Sequence, residues 1–329
     1  MTDKARKVLK YVPSVLVAVL LVFFAFRGTD WQDFFRGLAG TDWWFILASV
    51  VVAVIALVLR AERWRSQLLP LDEDIRWSSV WHGSNIGNFL NVVIPGTGEF
   101  YRCGHVCTGK AKYDKVFGTI IMERSWDVLA IIVLLIVAAF TNTQTIAPFL
   151  QENVLTPFAH RFRFSIWWLV AAVVVFLVLA VWLVFLFKDK SKVCGKISGW
   201  MKGILNGFVS FKDVKGKPLF FIYTIGIWVM YILMTYFTFL AVPGLEHLTF
   251  ADAVFISAVG NIASVIPTPG NIGPYHYLVG LAISSIYLGA EGMAASALLC
   301  ATLSHGSHAI LIIILGIYSY IRISLKKKK

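Results

Sequence analysis

Five ionisable residues stand where an otherwise apolar chain has few, and they are the groups with chemistry to offer. Glu99 and Arg102 follow a Pro/Gly break, and Glu123, Arg124 and Asp127 lie in the next apolar run. Ionisable groups at membrane depth are costly, so they face a bundle interior or a cavity and pair with one another. Glu123 and Asp127 are four apart on one helix face, while Arg124 and Asp127, three apart, are spaced to pair. Three carboxylates against two guanidiniums suit an internal ion-pair network that holds the broken helix against its neighbour. The second reading is a receptor. Arg102, with Arg124 or Arg63, would take an anionic head group, because guanidinium grips phosphate oxygens in a bidentate fork that lysine cannot match. The two readings can both hold, and Asn91 and His276, one near each break, complete the candidate binding set. His305 and His308, three apart in the final apolar run, could relay protons near neutral pH, although a buried histidine is more often hydrogen-bonded filler.

What must position these groups is a phrase that the chain says twice. Val93-Ile94-Pro95-Gly96-Thr97-Gly98 returns as Val265-Ile266-Pro267-Thr268-Pro269-Gly270, each after a Gly-Asn pair, Gly87-Asn88 and Gly260-Asn261. Pro and Gly break helices, and irregular backbone survives at membrane depth only where protein or a water-filled cavity satisfies its polar groups. Paired, Gly/Pro-interrupted hydrophobic segments in two halves of a chain point to a transporter's binding site. A helix restarting after Gly98 or Gly273 would aim unpaired N–H groups and its positive dipole end inward, a ready anion site. Pro95, Gly96, Gly98, Pro267, Pro269, Gly270 and Gly273 are therefore the expected helix-break and backbone-donor positions.

The elements follow from composition. The chain is 58% hydrophobic and 15% charged, with a mean hydropathy of +0.74, which places it among polytopic membrane proteins. The reading is an all-α bundle of about six full spans, near 8–26, 43–60, 116–140, 165–187, 217–241 and 294–321. Two broken, re-entrant pairs join them, near 77–112 and 249–290. Residues 1–329 form one membrane domain with repeat-like halves near 43–140 and 217–321, for which the orientation favours an inverted relation. The net charge of +12 is clustered beside spans, at Lys4 to Lys10, in the loop 188–217 and at Lys326 to Lys329. That is the positive-inside signature, and it places both termini in the cytoplasm and argues against a nucleic-acid partner. Trp43-Trp44, Trp167-Trp168 and Tyr318/Tyr320 read as interfacial anchors, and residues 30–40 as a short interfacial helix. Cys103, Cys107, Cys194 and Cys300 make no disulfide framework, and Cys103-Gly-His105-Val-Cys107 lacks an evident fourth ligand, so no metal is expected.

Four motifs, in order across almost the whole chain, resemble the lysylphosphatidylglycerol synthase/flippase-like transmembrane family, also called UPF0104. They are Leu59-Arg60-Ala61-Glu62-Arg63-Trp64, the segment from Asn91 through Pro95 and Glu99 to Arg102, Glu123-Arg124-Ser125-Trp126-Asp127, and Pro267-Thr268-Pro269-Gly270-Asn271-Ile272-Gly273. The chain departs from the family pattern at Thr97, where an arginine is usual, at Asn271, where a glycine is usual, and at His276, where an acid is expected. The resemblance implies a domain of a bacterial inner membrane that moves lipids between leaflets. It implies no cofactor, and envelope-synthesis proteins are candidate partners. The aminoacyl-transferring domain of two-part relatives is not expected here, so the chain does not read as a synthase.

The leading expectation is a flippase or transporter for a phospholipid or a polyprenyl-phosphate-type lipid with an anionic or zwitterionic head group. One alternative is an intramembrane enzyme acting on lipid phosphates, with Glu99, Glu123 or Asp127 as acid, base or Mg²⁺ ligand. The other is a non-transporting scaffold subunit of envelope synthesis.

Overall fold

Two antiparallel helices frame the molecule. Residues Trp43–Leu68 carry no internal Gly or Pro and form α3, capped at its start by Asp42, whose carboxylate accepts the Trp44 N–H at 2.9 Å. Its partner is α7, Lys217–Ala241, with Pro218 in the first turn, where the missing N–H costs nothing. Three cross-links set their register. The Asp42 N–H donates to the Ala241 carbonyl at 2.9 Å, Ser49 Oγ to the Met234 carbonyl at 3.3 Å, and Arg60 Nη1 to the Tyr231 hydroxyl at 3.2 Å. Trp44, Leu47, Val51 and Ile55 form an exposed apolar stripe on the outer face of α3. In water such a stripe is a liability, whereas against acyl chains it costs nothing.

The computed structural model describes residues 12–27, 29–141, 216–263, 266, 268–286 and 293–326, with the single positions 186 and 198. Ten α-helices and one 3₁₀ turn, with no strand, make up the described chain. The others are α1 (Val12–Phe26), α2 (Trp31–Ala39), α4 (Trp77–Val93), α5 (Thr97–Val106), α6 (Tyr113–Thr141), α8 (Phe250–Ala263), α9 (Pro274–Ile286) and α10 (Met293–Lys326). Trp43–Leu68, Lys217–Ala241 and Ala294–Lys326 are long and apolar enough to cross a membrane. At 29 residues α6 has the length as well. The expected span 165–187 and nearly all of the lysine-rich loop lie outside the described residues.

The two broken stretches are helix hairpins. With 17 residues in α4 and 10 in α5, they rise roughly 25 and 15 Å at about 1.5 Å per residue, short of the ~30 Å hydrocarbon core. They fold back on each other along a seam of glycines. A Cβ on Gly83 would lie 2.9 Å from the His105 ring and one on Gly87 2.6 Å from Arg102 Cγ, while one on Gly98 would collide with the Gly87 carbonyl. Val80 near the start of α4 and Val106 at the end of α5 share a core with Trp64, Leu68 and Val116. This hairpin therefore enters at the end of the molecule where α3 finishes.

The second hairpin enters at the other end. Val279, Ala282 and Ile283 of α9 share a core with Leu298 and Leu299 of α10, with Phe239 near the end of α7 and with Leu245 in the turn after it. Gly260 of α8 lies against Tyr275 and Val279 of α9. Halfway down, the tips meet, and a Cβ on Gly270 would stand 3.5 Å from the Val92 carbonyl oxygen. Arg65, Arg76, Lys110, Lys115, Arg322 and Lys326 all belong to the end that the first hairpin enters.

Candidate functional site

Glu123 is the hub of the charged cluster. Nearly three turns into α6, its carboxylate is 1% exposed and meets three guanidiniums. Arg102 Nη2 donates to Oε2 at 2.8 Å, Arg60 Nη2 to Oε1 at 3.3 Å, and Arg63 Nη2 stands 3.6 Å from Oε1. Arg63 also donates to Asp127 at 2.7 Å. Arg102 lies over the Trp64 ring, its guanidinium carbon 4.1 Å from the ring centroid. The close approach of Gly87 is what lets α5 deliver Arg102 to this depth. Arg63 Nε and Nη1 and Arg102 Nε find no acceptor among the described residues. Around this cluster cations outnumber anions, with Arg60, Arg63, Arg102 and Arg124 against Glu99, Glu123 and Asp127, a surplus of one positive charge.

Arg124 behaves differently from its neighbours. One residue on from Glu123, it points about 100° around α6, leaves its side chain 48% exposed, and pairs with Glu99 at the start of α5 at 2.5 Å. Between the two hairpin tips opens a cavity of about 530 Å³, the size of a small-molecule or head-group site. The first half contributes Arg60, Asn88, Asn91, Glu99, Arg124 and Asp127; the second contributes Tyr231, Ser257, Asn261, Thr268, Asn271 and His305. Pro95, Gly96, Gly270 and His308 line it as well. At its rim stands Val128, 51% exposed, and Leu129, Ile132, Val133 and Ile136 continue an exposed apolar track along α6.

The tips themselves are folded more tightly than expected. Gly96, at φ +81°, makes the turn. The Gly98 N–H is already accepted by Asn91 Oδ1 at 2.8 Å, and the Thr97 hydroxyl donates to the Ile94 carbonyl at 2.7 Å. At the second tip the N–H groups of Thr268, Asn271 and Ile272 donate to the carbonyls of Ile266, Thr268 and Pro269. Gly270 offers its carbonyl oxygen to His305 Nε2 at 2.7 Å. Of the expected backbone donors, the Gly98 N–H is thus spent within its own tip, and Gly270 acts as an acceptor through its carbonyl.

Several further expectations are corrected. Arg124 and Asp127 do not pair along α6; each reaches a different helix, because side chains on successive turns diverge toward α5 and α3. Arg102, the leading candidate for an anion, is locked between Glu123 and Trp64, and Arg63 is fully buried. Glu123, Arg102, Arg63, His276, Gly98, Pro269 and Gly273 are not among the residues lining the cavity. His276 sits behind the second tip, its ring 5.1 Å from that of His305 and 5.9 Å from Phe26. Pro267 lies outside the described residues. Arg60 was missed. Its signal was the three-residue spacing to Arg63, which puts both on one helix face toward Glu123.

The chain has recognisable relatives. No solved structure matches it. It is similar to the UPF0104 membrane protein PH1989 of Pyrococcus horikoshii, 23% identical over 291 residues, which covers 79% of this chain and 82% of that protein. The family described as the lysylphosphatidylglycerol synthase TM region matches residues 11–316, so nearly all of the described fold lies within the match. The chain is a multi-pass, all-α membrane protein, and it belongs to that family.

Proposed function

We propose that this protein carries a phosphate-bearing lipid head group across the membrane, holding it in the cavity between the two hairpin tips. The observation behind this reading is the unbalanced charge at mid-depth. An isolated surplus cation in an apolar interior is costly, and an anion resting on Arg60 and Arg124 removes that cost. Arg124 is half-exposed at the rim and Arg60 lines the floor, so both are within reach of a ligand. A cavity of about 530 Å³ accommodates a head group rather than two acyl chains, which would instead trail along the exposed track on α6. The two hairpins enter from opposite ends, so small movements of either tip would open the cavity to one side or the other. The end rich in lysine and arginine would face the cytoplasm.

The test is transbilayer movement of labelled lipids in vesicles containing the purified protein. Wild type should accelerate an anionic phospholipid, and Arg124→Gln should reduce that rate about tenfold or more while leaving the fold intact, as judged by unchanged thermal unfolding. Movement by Arg124→Gln at the wild-type rate, or none by a well-folded wild type, would sink the proposal.

A further inference from the structure

The two walls of the cavity differ in chemistry. The charged wall comes from α3, α5 and α6 and holds every arginine and carboxylate of the lining. The opposite wall, from α7, α8, the second tip and α10, has no lysine, arginine or carboxylate among the described lining residues. It presents amides, hydroxyls, an indole and imidazoles instead, in Asn261, Asn271, Thr268, Trp228 and His305. Three buried polar atoms on this wall have no hydrogen-bond partner among the described residues: Thr268 Oγ1, Asn271 Oδ1 and Trp228 Nε1. Thr268 is 4% exposed. Buried polar groups are nearly always partnered, so acceptors and a donor left over on one wall of a cavity mark the place of a polar ligand.

Charge counting narrows the ligand. The charged lining residues balance, Arg60 and Arg124 against Glu99 and Asp127. The cluster behind them adds Arg63 and Arg102 against Glu123 alone, so one positive charge is left over along this wall and a phosphodiester of charge −1 restores balance. A phosphodiester that also bears an ammonium leaves the surplus in place, and a phosphomonoester, at about −1.5 to −2, overshoots it. Both carboxylates of the lining are engaged, Glu99 by Arg124 and Asp127 by Arg63. Resting on the transport reading above for the site itself, we infer that the head group is a phosphodiester of an uncharged polyol. The phosphate lies on Arg60 and Arg124, and the hydroxyls of a glycerol, an inositol or a sugar lie on Thr268, Asn271 and Trp228. Hydroxyls donate and accept, which matches a wall that lacks both a donor to Thr268 and Asn271 and an acceptor for Trp228. The same chemistry occurs in glycerophospholipids and in isoprenoid phosphate sugars.

The probes are glycerol 1-phosphate methyl ester and phosphoethanolamine methyl ester, added to the detergent-purified full chain and read by thermal unfolding. Labelled phosphatidylglycerol, phosphatidylinositol, phosphatidylethanolamine and a polyprenyl-phosphate hexose are then compared in the vesicle assay. Asn271→Gly suits the backbone, since Asn271 sits at φ +60°, and Thr268→Val keeps the shape. Binding and movement should favour the polyol forms at least tenfold over the ethanolamine forms, and the double variant should cut that preference to about twofold. Preference among the polyol lipids tells the two sources apart. Selective stabilisation by the glycerol ester without movement of any lipid keeps the polyol site and discards transport. Equal handling of polyol and ethanolamine forms, or an unchanged preference in the well-folded double variant, overturns the inference and leaves transport standing.

Discussion

Replacing Glu123 by Gln removes one charge at nearly constant volume, and the surroundings say where the cost falls. Arg63 keeps Asp127 at 2.7 Å and Arg60 keeps the Tyr231 hydroxyl at 3.2 Å. Arg102 loses its one carboxylate among the described residues, at 2.8 Å, and keeps only the face of Trp64, which is worth about 0.5–2 kcal/mol. The penalty is therefore that of one uncompensated buried guanidinium, about 3–5 kcal/mol. At about 2–4 °C per kcal/mol, Tm should fall by roughly 6–20 °C. Glu99→Gln is the matched control. The same chemical change there breaks a pair whose arginine is half-exposed, a loss of about 0–1 kcal/mol and so at most a few degrees. The diagnostic variant is the double Arg102→Met/Glu123→Gln, in which no guanidinium is stranded and a thioether can lie on Trp64. It should recover most of the lost stability. Thermal unfolding of detergent-purified protein reads all three. A Glu123→Gln loss no larger than that of Glu99→Gln, or a double variant no more stable than Glu123→Gln alone, would refute the hub.

Gly98→Ala drives a methyl into the Gly87 carbonyl, and because backbone cannot yield as a side chain can, purified yield of folded protein should collapse; normal yield would show the hairpin to be looser than described. Gly96→Ala meets open space but must hold φ +81°, so it should cost about 1–2 kcal/mol of backbone strain, a drop of a few degrees in thermal unfolding; a larger loss would point to a contact not seen at the tip. Outside the membrane, the Thr108 hydroxyl donating at 2.6 Å, then the Asp74 N–H, hold the Asp72 carboxyl below its ordinary value of 3.8. Because the folded pKa is the lower one, this stabilisation is present above pH ~4 and lost as pH falls through the folded pKa. Stability measured from pH 6 to 3 should therefore decline less steeply in Asp72→Asn than in wild type; identical slopes would exclude the contribution.

How much of this was readable from the chain depended on whether the cause was local. The hairpin tips were, since Pro95, Gly96, Pro269 and Gly270 dictate a break whatever surrounds them. That α3 and α7 are long and apolar enough to cross a membrane followed from length and apolarity. The ion-pair partners were not, because spacing along one helix suggests Arg124 with Asp127, while the observed partners come from α5 and α3. Arg60 was lost for a related reason. An apolar count ends the second span at 60, so the arginines beyond look like loop, yet the helix continues to Leu68 and carries Arg60 and Arg63 against α6. The depth of Arg102 depends on Gly87 meeting Gly98 across a hairpin, a contact that no periodicity reports.

The same four arginines then divide by how much a ligand must displace to reach them. Arg102 and Arg63 are buried and held by carboxylates, so a phosphate could reach either only by entering the ion-pair cluster itself, and taking Arg63 would strand Asp127, at about 3–5 kcal/mol. Arg124 is held by Glu99 at the rim, in a pair worth about 0–1 kcal/mol, and Arg60 already spends one arm on a neutral hydroxyl. A phosphate of the proposed head group would thus settle on Arg124 beside Glu99 without breaking a buried pair, which Arg102 would not allow.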